Sequence, residues 1–251
     1  MKPKRLLTIL FTLATLTVNA LANILPFNGQ TTAEISNRFP IRFVPAGYVF
    51  SIWGLIYLGL LAFAIYQALP AQRERKVLDE IALLYWLSSL ANAIWIVLWH
   101  YEYFAYTIVV MAVLLLSLIA IYRRLRAAAQ PGAGFRWCVQ LPFSIYLGWI
   151  SVATIANASQ LLFFLNWDAW GLSAELWAAI LLAVATALGL AMLRREQDWA
   201  YALVLVWAFA GIAVAQADST LVANAAWALA AGLALLAAYT LIWKRSPAAA
   251  Q

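Results

Sequence analysis

Eight long apolar runs separated by short polar breaks constrain this chain more than any other feature. A transmembrane helix needs roughly 20 mostly apolar residues at a rise of about 1.5 Å each. That rule places runs near 6–25, 45–69, 80–100, 103–122, 137–164, 172–193, 199–216 and 222–243. Only 10% of the residues are charged, against about 25% in ordinary soluble domains. The sequence therefore predicts an all-α, polytopic transmembrane helix bundle of about eight spans.

The basic residues fall in alternate breaks, and this alternation supports the count of eight. Only Arg38 and Arg42, of 16 lysines and arginines, lie on the side opposite to the others. The positive-inside rule predicts such a pattern for eight spans with cytoplasmic ends. We therefore expect a multi-pass protein of the inner (plasma) membrane, with its N- and C-termini in the cytoplasm.

The first run has a second interpretation. Residues 2–22 have a basic start and an apolar middle, and they end in Ala20-Leu21-Ala22, which suits a signal-peptidase site. Cleavage would leave seven spans in the same orientation with an external N-terminus. We favour retention of this segment as the first span.

Residues that could carry chemistry are sparse. The acidic residues lie at the ends of runs or in breaks, which disfavours proton- or cation-coupled transport. His100, the single histidine, lies at an end of the third run, where haem ligation and pH sensing are less common than an interfacial histidine without a functional role. The single cysteine, Cys138, excludes a disulfide framework and a thiolate metal site.

The motifs of the common enzyme classes are also absent from the sequence. It contains no Gly-rich phosphate loop, no Ser/His/Asp set, no CxxC and no HExxH. The basic residues follow membrane topology rather than forming a patch for nucleic acid. We expect no enzyme activity, no metal, no cofactor and no nucleic-acid partner.

Thirteen tryptophans are the most unusual feature of the composition. Those near the ends of runs suit the aromatic belt at headgroup depth. Others lie inside the runs, among them Trp53, Trp95, Trp149 and Trp207. A buried indole N–H needs a partner, which in lipid is either protein or a bound ligand. These residues therefore either pack the bundle or line a cavity.

Two runs carry stripes of aromatic, small and amide residues at helical spacing. In the fifth run the stripe is Tyr146, Trp149, Ala153 and Asn157, and in the third run it is Ser88, Asn92, Trp95 and Trp99. An amide in hydrocarbon is costly unless it is paired, so the asparagines should face the interior. Such stripes suit a pocket for a flat, largely apolar molecule with a few polar handles. Interhelical hydrogen bonding that only fixes packing is the alternative.

The stripe in the fifth run carries a family resemblance. Residues 146–157 read Tyr-Leu-Gly-Trp-Ile-Ser-Val-Ala-Thr-Ile-Ala-Asn. They resemble the P-Y-L-x-W-V-x-F-A-x-x-L-N signature of the translocator protein family, also called TspO/MBR or tryptophan-rich sensory proteins. The family's Tyr, Trp, Ala and Asn fall on the four residues of the stripe with their spacing preserved. Ile145 stands in place of the family's proline.

Two further segments resemble motifs of the same family. Asn92-Ala93-Ile94-Trp95 is similar to its third-helix N-x-x-W, with Ser88-Ser89 where the family has Gln-Leu. Residues 45–53, which begin at Pro45 and are followed by Tyr57, resemble P-P-x-W-V-F-x-x-V-W. Here Ala replaces the second Pro, Tyr48 replaces Trp, and one residue fewer separates Phe50 from Trp53.

The order of the three motifs matches the five-helix bundle of that family over about residues 6–165. The resemblance implies that residues 1–165 form a TspO/MBR-like five-helix transmembrane core. Residues 166–251 would then be an additional three-helix transmembrane extension. In the family the pocket lies under the loop that joins the first two helices, here 26–44. Arg38 and Arg42 in this loop are candidates to pair with a ligand carboxylate, although solvated loop arginines are the commoner case.

What the resemblance implies is a membrane receptor, sensor or carrier of planar hydrophobic molecules, porphyrin- or sterol-like compounds among them. The partners are then a hydrophobic small molecule and the lipid bilayer, with a porphyrin as ligand rather than cofactor. A homodimer is neither predicted nor excluded, because the sequence does not determine the oligomeric state. The alternatives are a small-molecule transporter or exporter that uses the added helices, and a structural membrane scaffold.

The predicted ligand-binding residues come from the three motifs and from the two stripes. They are Pro45, Tyr48, Phe50, Trp53, Asn92, Trp95, Tyr146, Trp149, Ala153 and Asn157. No catalytic residue and no metal ligand is predicted.

Overall fold

The structure, a computed structural model, describes residues 2–25, 27–128 and 132–243, and these residues form helices and no strand. Each apolar run of the sequence is a long helix. In chain order these helices are α1 (Pro3–Ile24), α2 (Ile52–Ala68), α3 (Ala82–His100), α4 (Phe104–Arg126), α5 (Leu141–Phe164), α6 (Ala174–Ala191), α7 (Trp199–Ala215) and α8 (Thr220–Trp243). The predicted all-α, polytopic class is confirmed.

Among the described residues, seven helical stretches are long and apolar enough to cross a membrane, and they include all of these helices but α7. One of them is α2, which has 17 residues by itself and 22 together with the short helical segment that precedes it, Gly47–Ala68. The remaining one, α7, is apolar but has 17 residues. A helix of that length rises about 25 Å, which is at the lower limit for a span. The predicted eight spans are therefore seven full-length helices and one short helix.

Short helical segments connect the long helices. The α-helical segments are Thr32–Asn37, Lys76–Glu80 and Ala133–Phe135; the 3₁₀ segments are Phe27–Gly29, Gly47–Ser51, Pro70–Gln72 and Ala169–Gly171; and the π segments are Arg136–Gln140 and Met192–Glu196. The predicted loop 26–44 thus contains two of these segments.

The chain divides into two compact units, which are described separately below. The N-terminal unit comprises the residues up to 36 together with 51–150, and the C-terminal unit comprises 37–50 together with the residues from 151 onward. The segment 37–50 belongs to the C-terminal unit, so the motif at 45–53 is divided between the two units after Phe50. The division into a core of 1–165 and an extension of 166–251 stays a prediction about family pattern.

In the N-terminal unit, α3 packs against both α1 and α4, and α1 also packs against α2. A tight turn at Tyr101 and Glu102 joins α3 to α4. Glu102 has a left-handed φ of 61°, and the N–H of Tyr103 donates to the carbonyl of Leu98 at 2.9 Å. This Schellman-type ending satisfies a terminal carbonyl of α3 and reverses the chain.

In the C-terminal unit, α7 and α8 form the most extensive helix pair, and α6 packs against both. The start of the segment 45–51 docks on α7 at Gly211. The N–H of Ala46 donates to the carbonyl of Gly211 at 3.0 Å. The indole N–H of Trp207 donates to the carbonyl of Val49 at 3.0 Å. Because Gly211 has no side chain, the irregular segment approaches the helix backbone closely.

We predict that Gly211→Ala destabilises the protein. A Cβ at this position would overlap the side chain of Val49 and lie 3.1 Å from Pro45 Cβ. Such overpacking typically costs about 1–3 kcal/mol, so the thermal unfolding midpoint in detergent should fall. The matched control is Gly232→Ala on α8, where a Cβ meets nothing within 4 Å. The control should unfold at the wild-type temperature or slightly above it. Equal midpoints for the two variants would contradict the close approach at Gly211.

Candidate functional site

One face of α1 carries a row of buried polar side chains. Arg5, Thr8, Thr12, Thr15 and Asn19 are all buried, and their spacing of three or four residues places them on one side of the helix. This side faces α3, with which α1 packs. A polar group in hydrocarbon must find a protein partner, so the row marks an interhelical hydrogen-bonding seam.

In the half of the seam nearer the N-terminus of α1, hydroxyl groups form a chain of hydrogen bonds in which each donor can be identified. The Thr12 hydroxyl donates to the carbonyl of Thr8 at 2.8 Å, and the Tyr85 hydroxyl lies 2.6 Å from Thr12 Oγ1. Because Thr12 has a single hydroxyl proton, the Tyr85 hydroxyl is the donor to Thr12. The indole of Trp86 donates to Thr8 Oγ1 at 3.1 Å. Tyr85 and Trp86 on α3 are thus satisfied by threonines of α1.

The half of the seam nearer the C-terminus of α1 includes two residues of the predicted site, Asn92 and Tyr146. The Asn19 Nδ2 group donates to Asn92 Oδ1 at 2.6 Å, and Asn92 Nδ2 donates to the Tyr146 hydroxyl at 2.9 Å. All three residues are buried, and Asn92 is only 1% exposed. The chain of hydrogen bonds joins α1, α3 and α5. Asn19 is a participant that the sequence analysis missed.

An aromatic cluster surrounds Trp53 at the start of α2. The Trp53 ring stacks on Tyr57 with centroids 5.6 Å apart, and it meets Tyr146 edge-on at 6.0 Å and Trp149 edge-on at 6.3 Å. These are contact distances for aromatic rings, so Trp53 packs directly against its three neighbours. Trp53 is only half-buried, whereas Tyr146 and Trp149 are buried.

The structure thus brings together four predicted residues of the N-terminal unit, Trp53, Asn92, Tyr146 and Trp149, as a connected group. The fifth predicted residue of this unit, Trp95, is buried and stacks on Trp99 with centroids 5.1 Å apart. The Trp99 indole donates to the carbonyl of Thr32 at 3.4 Å. This second stack ties α3 to the helical segment that follows α1.

The other five predicted residues belong to the C-terminal unit: Pro45, Tyr48, Phe50, Ala153 and Asn157. Pro45 and Asn157 are buried, and Phe50 and Ala153 are half-buried. Tyr48 is 49% exposed and contacts Trp207 edge-on, with centroids 5.5 Å apart. Trp207, singled out as a tryptophan inside a run, therefore holds the segment that carries Tyr48.

An open apolar groove of about 380 Å³ lies elsewhere in the N-terminal unit, between α1 and α2. Its walls include Leu13, Leu61, Ala64 and Ile65. None of the predicted site residues lines it. The groove is a feature of the two helix surfaces and is separate from the aromatic cluster.

Arg42 is held by partners within the C-terminal unit. Its guanidinium donates to Asp218 at 2.6 Å and to Gln216 at 3.0 Å, and its Nε lies 3.4 Å from Glu175. The hydrogen bond from Arg42 lowers the pKa of Asp218. These partners already occupy the guanidinium that the sequence analysis offered to a ligand carboxylate. The guanidinium of Arg38, the other arginine in this loop, lies over the ring of Phe39 at 5.2 Å.

His100 is buried at the end of α3. Its Nδ1 lies 2.7 Å from the carbonyl of Ile96 and carries the proton, because a carbonyl only accepts. The ring meets Phe27 edge-on, with centroids 5.8 Å apart. Among the described residues, no group of three or more His, Cys, Asp or Glu side chains could hold a metal ion. His100 therefore has no companion ligands in the described part of the chain.

Comparison with protein families gives a match over most of the chain. The family described as TSPO-like protein matches residues 5–239. The matched region runs through α6 and α7 and most of α8, so it includes most of the segment that the three motifs left out. Comparison with curated proteins and with solved structures gives no match.

The ion pair between Arg42 and Asp218 predicts a pH dependence of stability. Because the pKa of Asp218 is lowered in the folded protein, its contribution to stability is fully present above the unfolded value of about 3.9. That contribution is lost as the pH falls through the lower folded value. We expect Asp218→Asn to lower the unfolding midpoint at pH 6, and we expect the difference from wild type to shrink progressively as the pH falls below the unfolded value of about 3.9. Glu80→Gln, which removes another exposed carboxylate, is the control. A difference that stays constant with pH would contradict the ion pair.

Proposed function

The chain belongs to the TSPO-like protein family, and from this premise we propose that it is a membrane receptor or carrier for a planar, largely apolar small molecule. The single observation that carries this proposal is the aromatic cluster of Trp53, Tyr146 and Trp149, joined to the buried amide of Asn92. Flat aromatic faces and a few fixed polar groups are what a pocket for such a molecule requires.

The hydrogen bonding of the tryptophans supports Trp53 as the contact residue. The indole N–H groups of Trp86, Trp99, Trp177 and Trp207 each donate to an oxygen of the protein. The Trp53 indole has ring contacts only, and no acceptor for its N–H occurs among the described residues. In a lipid environment such a donor favours a bound guest as its partner.

The packing of the cluster supports entry of the guest beside Trp53. The ring planes of Trp53 and Trp149 lie at 85° to each other, so a guest that separates them meets the face of one ring and the edge of the other. Trp53 is the residue to move, because it is half-buried and lies in the first turn of α2. Trp149 and Tyr146 stay fixed in the interior of α5.

The proposal includes the predicted orientation and the predicted absence of catalysis. The protein would lie in the inner (plasma) membrane with cytoplasmic termini, and it would bind its guest without converting it. Receptor and carrier differ in one measurable respect, which is net movement of the guest across the bilayer. Uptake of protoporphyrin into proteoliposomes distinguishes a carrier from a receptor.

We expect the purified protein to bind protoporphyrin IX, with quenching of tryptophan fluorescence. Trp53→Ala should weaken binding about tenfold, since one stacked ring contributes about 0.5–1.5 kcal/mol beyond its buried area. The variant Trp149→Phe should also bind weakly. The matched control is Trp170→Ala, which removes an indole that is 74% exposed and outside the predicted site. Equal affinities for wild type and Trp53→Ala would contradict the proposed site.

A further inference from the structure

The hydrogen-bond chain that ends at Tyr146 has a fixed direction. Asn19 Nδ2 donates to the backbone carbonyl of Thr15 at 2.8 Å as well as to Asn92 Oδ1. A backbone carbonyl only accepts, so the Asn19 group that faces both oxygens must be the NH₂. Asn92 therefore presents its oxygen to Asn19 and its NH₂ to Tyr146. The orientation of both amides follows from one main-chain carbonyl.

The opposite orientation is excluded by the same contacts. Turning Asn19 over would set its oxygen against the carbonyl of Thr15, so that two acceptors would face each other. The observed orientation leaves Asn19 Oδ1 buried without a partner among the residues described. A buried acceptor without a partner costs free energy. The two hydrogen bonds that Asn19 Nδ2 donates offset this cost.

The direction of the chain determines the role of the Tyr146 hydroxyl. Its oxygen accepts from Asn92 Nδ2, so its own proton remains to be donated. In the described part of the chain, no acceptor receives this proton. The contrast with Tyr85 is informative, because Tyr85 gives its proton to Thr12 and is satisfied inside the seam.

Two further donors lie beside Tyr146. The Trp53 ring contacts both Tyr146 and Tyr57. The structure shows no protein acceptor for the Trp53 indole N–H or for the Tyr57 hydroxyl among its described residues. The cluster therefore offers donors and few acceptors. In hydrocarbon, a guest that brings acceptors to these donors gains more than a guest of the same shape without them.

We propose that Asn19 is a positioning residue which, through Asn92, holds Tyr146 as a hydrogen-bond donor to the guest. The class of guest is then planar, apolar molecules that carry an acceptor such as a carbonyl oxygen or an unprotonated ring nitrogen. This inference rests on the proposed function, because it assigns the chemistry of the same site.

The test uses two probes of one skeleton. Fluorenone carries one carbonyl acceptor, whereas fluorene is a planar molecule of nearly the same size with neither donor nor acceptor. Each is titrated into the full-length protein in detergent, and the ratio of the two dissociation constants is compared between variants. The partition of each probe into detergent is the same for every variant, so it cancels when the ratios are compared. The preference for fluorenone over fluorene should be about tenfold larger in wild type than in a variant that lacks the donor.

Three variants separate positioning from simple packing. Tyr146→Phe removes the donor, so the ratio of fluorenone affinity to fluorene affinity should fall about tenfold. Asn19→Leu leaves Tyr146 in place but frees the Asn92 amide to turn its oxygen to the hydroxyl, so the preference should fall at least about threefold. Asn23→Leu is the matched control, because Asn23 is an exposed asparagine on α1 that donates only to the carbonyl of Asn19. It should keep the wild-type preference.

The outcomes distinguish this inference from the proposed function. A preference unchanged by either Tyr146→Phe or Asn19→Leu, in proteins that still bind both probes, overturns the inference alone. Failure of the wild-type protein to bind either probe or protoporphyrin overturns the proposed function and the inference with it. Circular dichroism and gel filtration show whether each variant is folded, and Asn19→Leu tests the inference where Tyr146→Phe does not fold.

Discussion

The hydrogen bond between Asn19 and Asn92 is the contact on which the N-terminal unit depends. Two amides buried in the interior of a membrane protein cannot form hydrogen bonds with water, so each needs a protein partner. Their pairing at 2.6 Å fixes the register of α1 against α3. The threonines below them on α1 continue the same seam toward Arg5, whose Nε lies 3.2 Å from Asp79. Helix packing and the orientation of Tyr146 therefore follow from one row of polar residues.

The sequence was sufficient for the fold class and for part of the site. Apolar runs and alternating basic breaks determine where helices lie, because both act within a short stretch of chain. The spacing of Tyr146 and Trp149 on one helix predicted that they share a face. The stripe of the third run supplied Asn92, and the family motif added Trp53. The partners of Arg42 could not be predicted, since Asp218 and Glu175 are distant in sequence and only the folded unit brings them together.

The row on α1 shows why the rest of the site was missed. Thr8, Thr12, Thr15 and Asn19 recur at helical spacing, so the signal was present in the sequence. A basic start and an apolar middle also suit a signal peptide, and that interpretation predicts no packing partner for the polar face. Threonine side chains bond readily to their own helix, so a stripe of them does not by itself indicate which helix lies opposite. The partner became clear only from the packing of α1 on α3.

The central claim is tested most directly by a double-mutant cycle on Asn19 and Asn92. The free energies of unfolding in mixed micelles are measured for wild type, Asn19→Leu, Asn92→Leu and the double variant. The account predicts that the two substitutions are not additive, with a coupling energy of about 1 kcal/mol, near the upper part of the range for buried polar pairs in membrane proteins. Additive effects within about 0.3 kcal/mol would show that the two amides do not depend on each other, and this result would contradict the account.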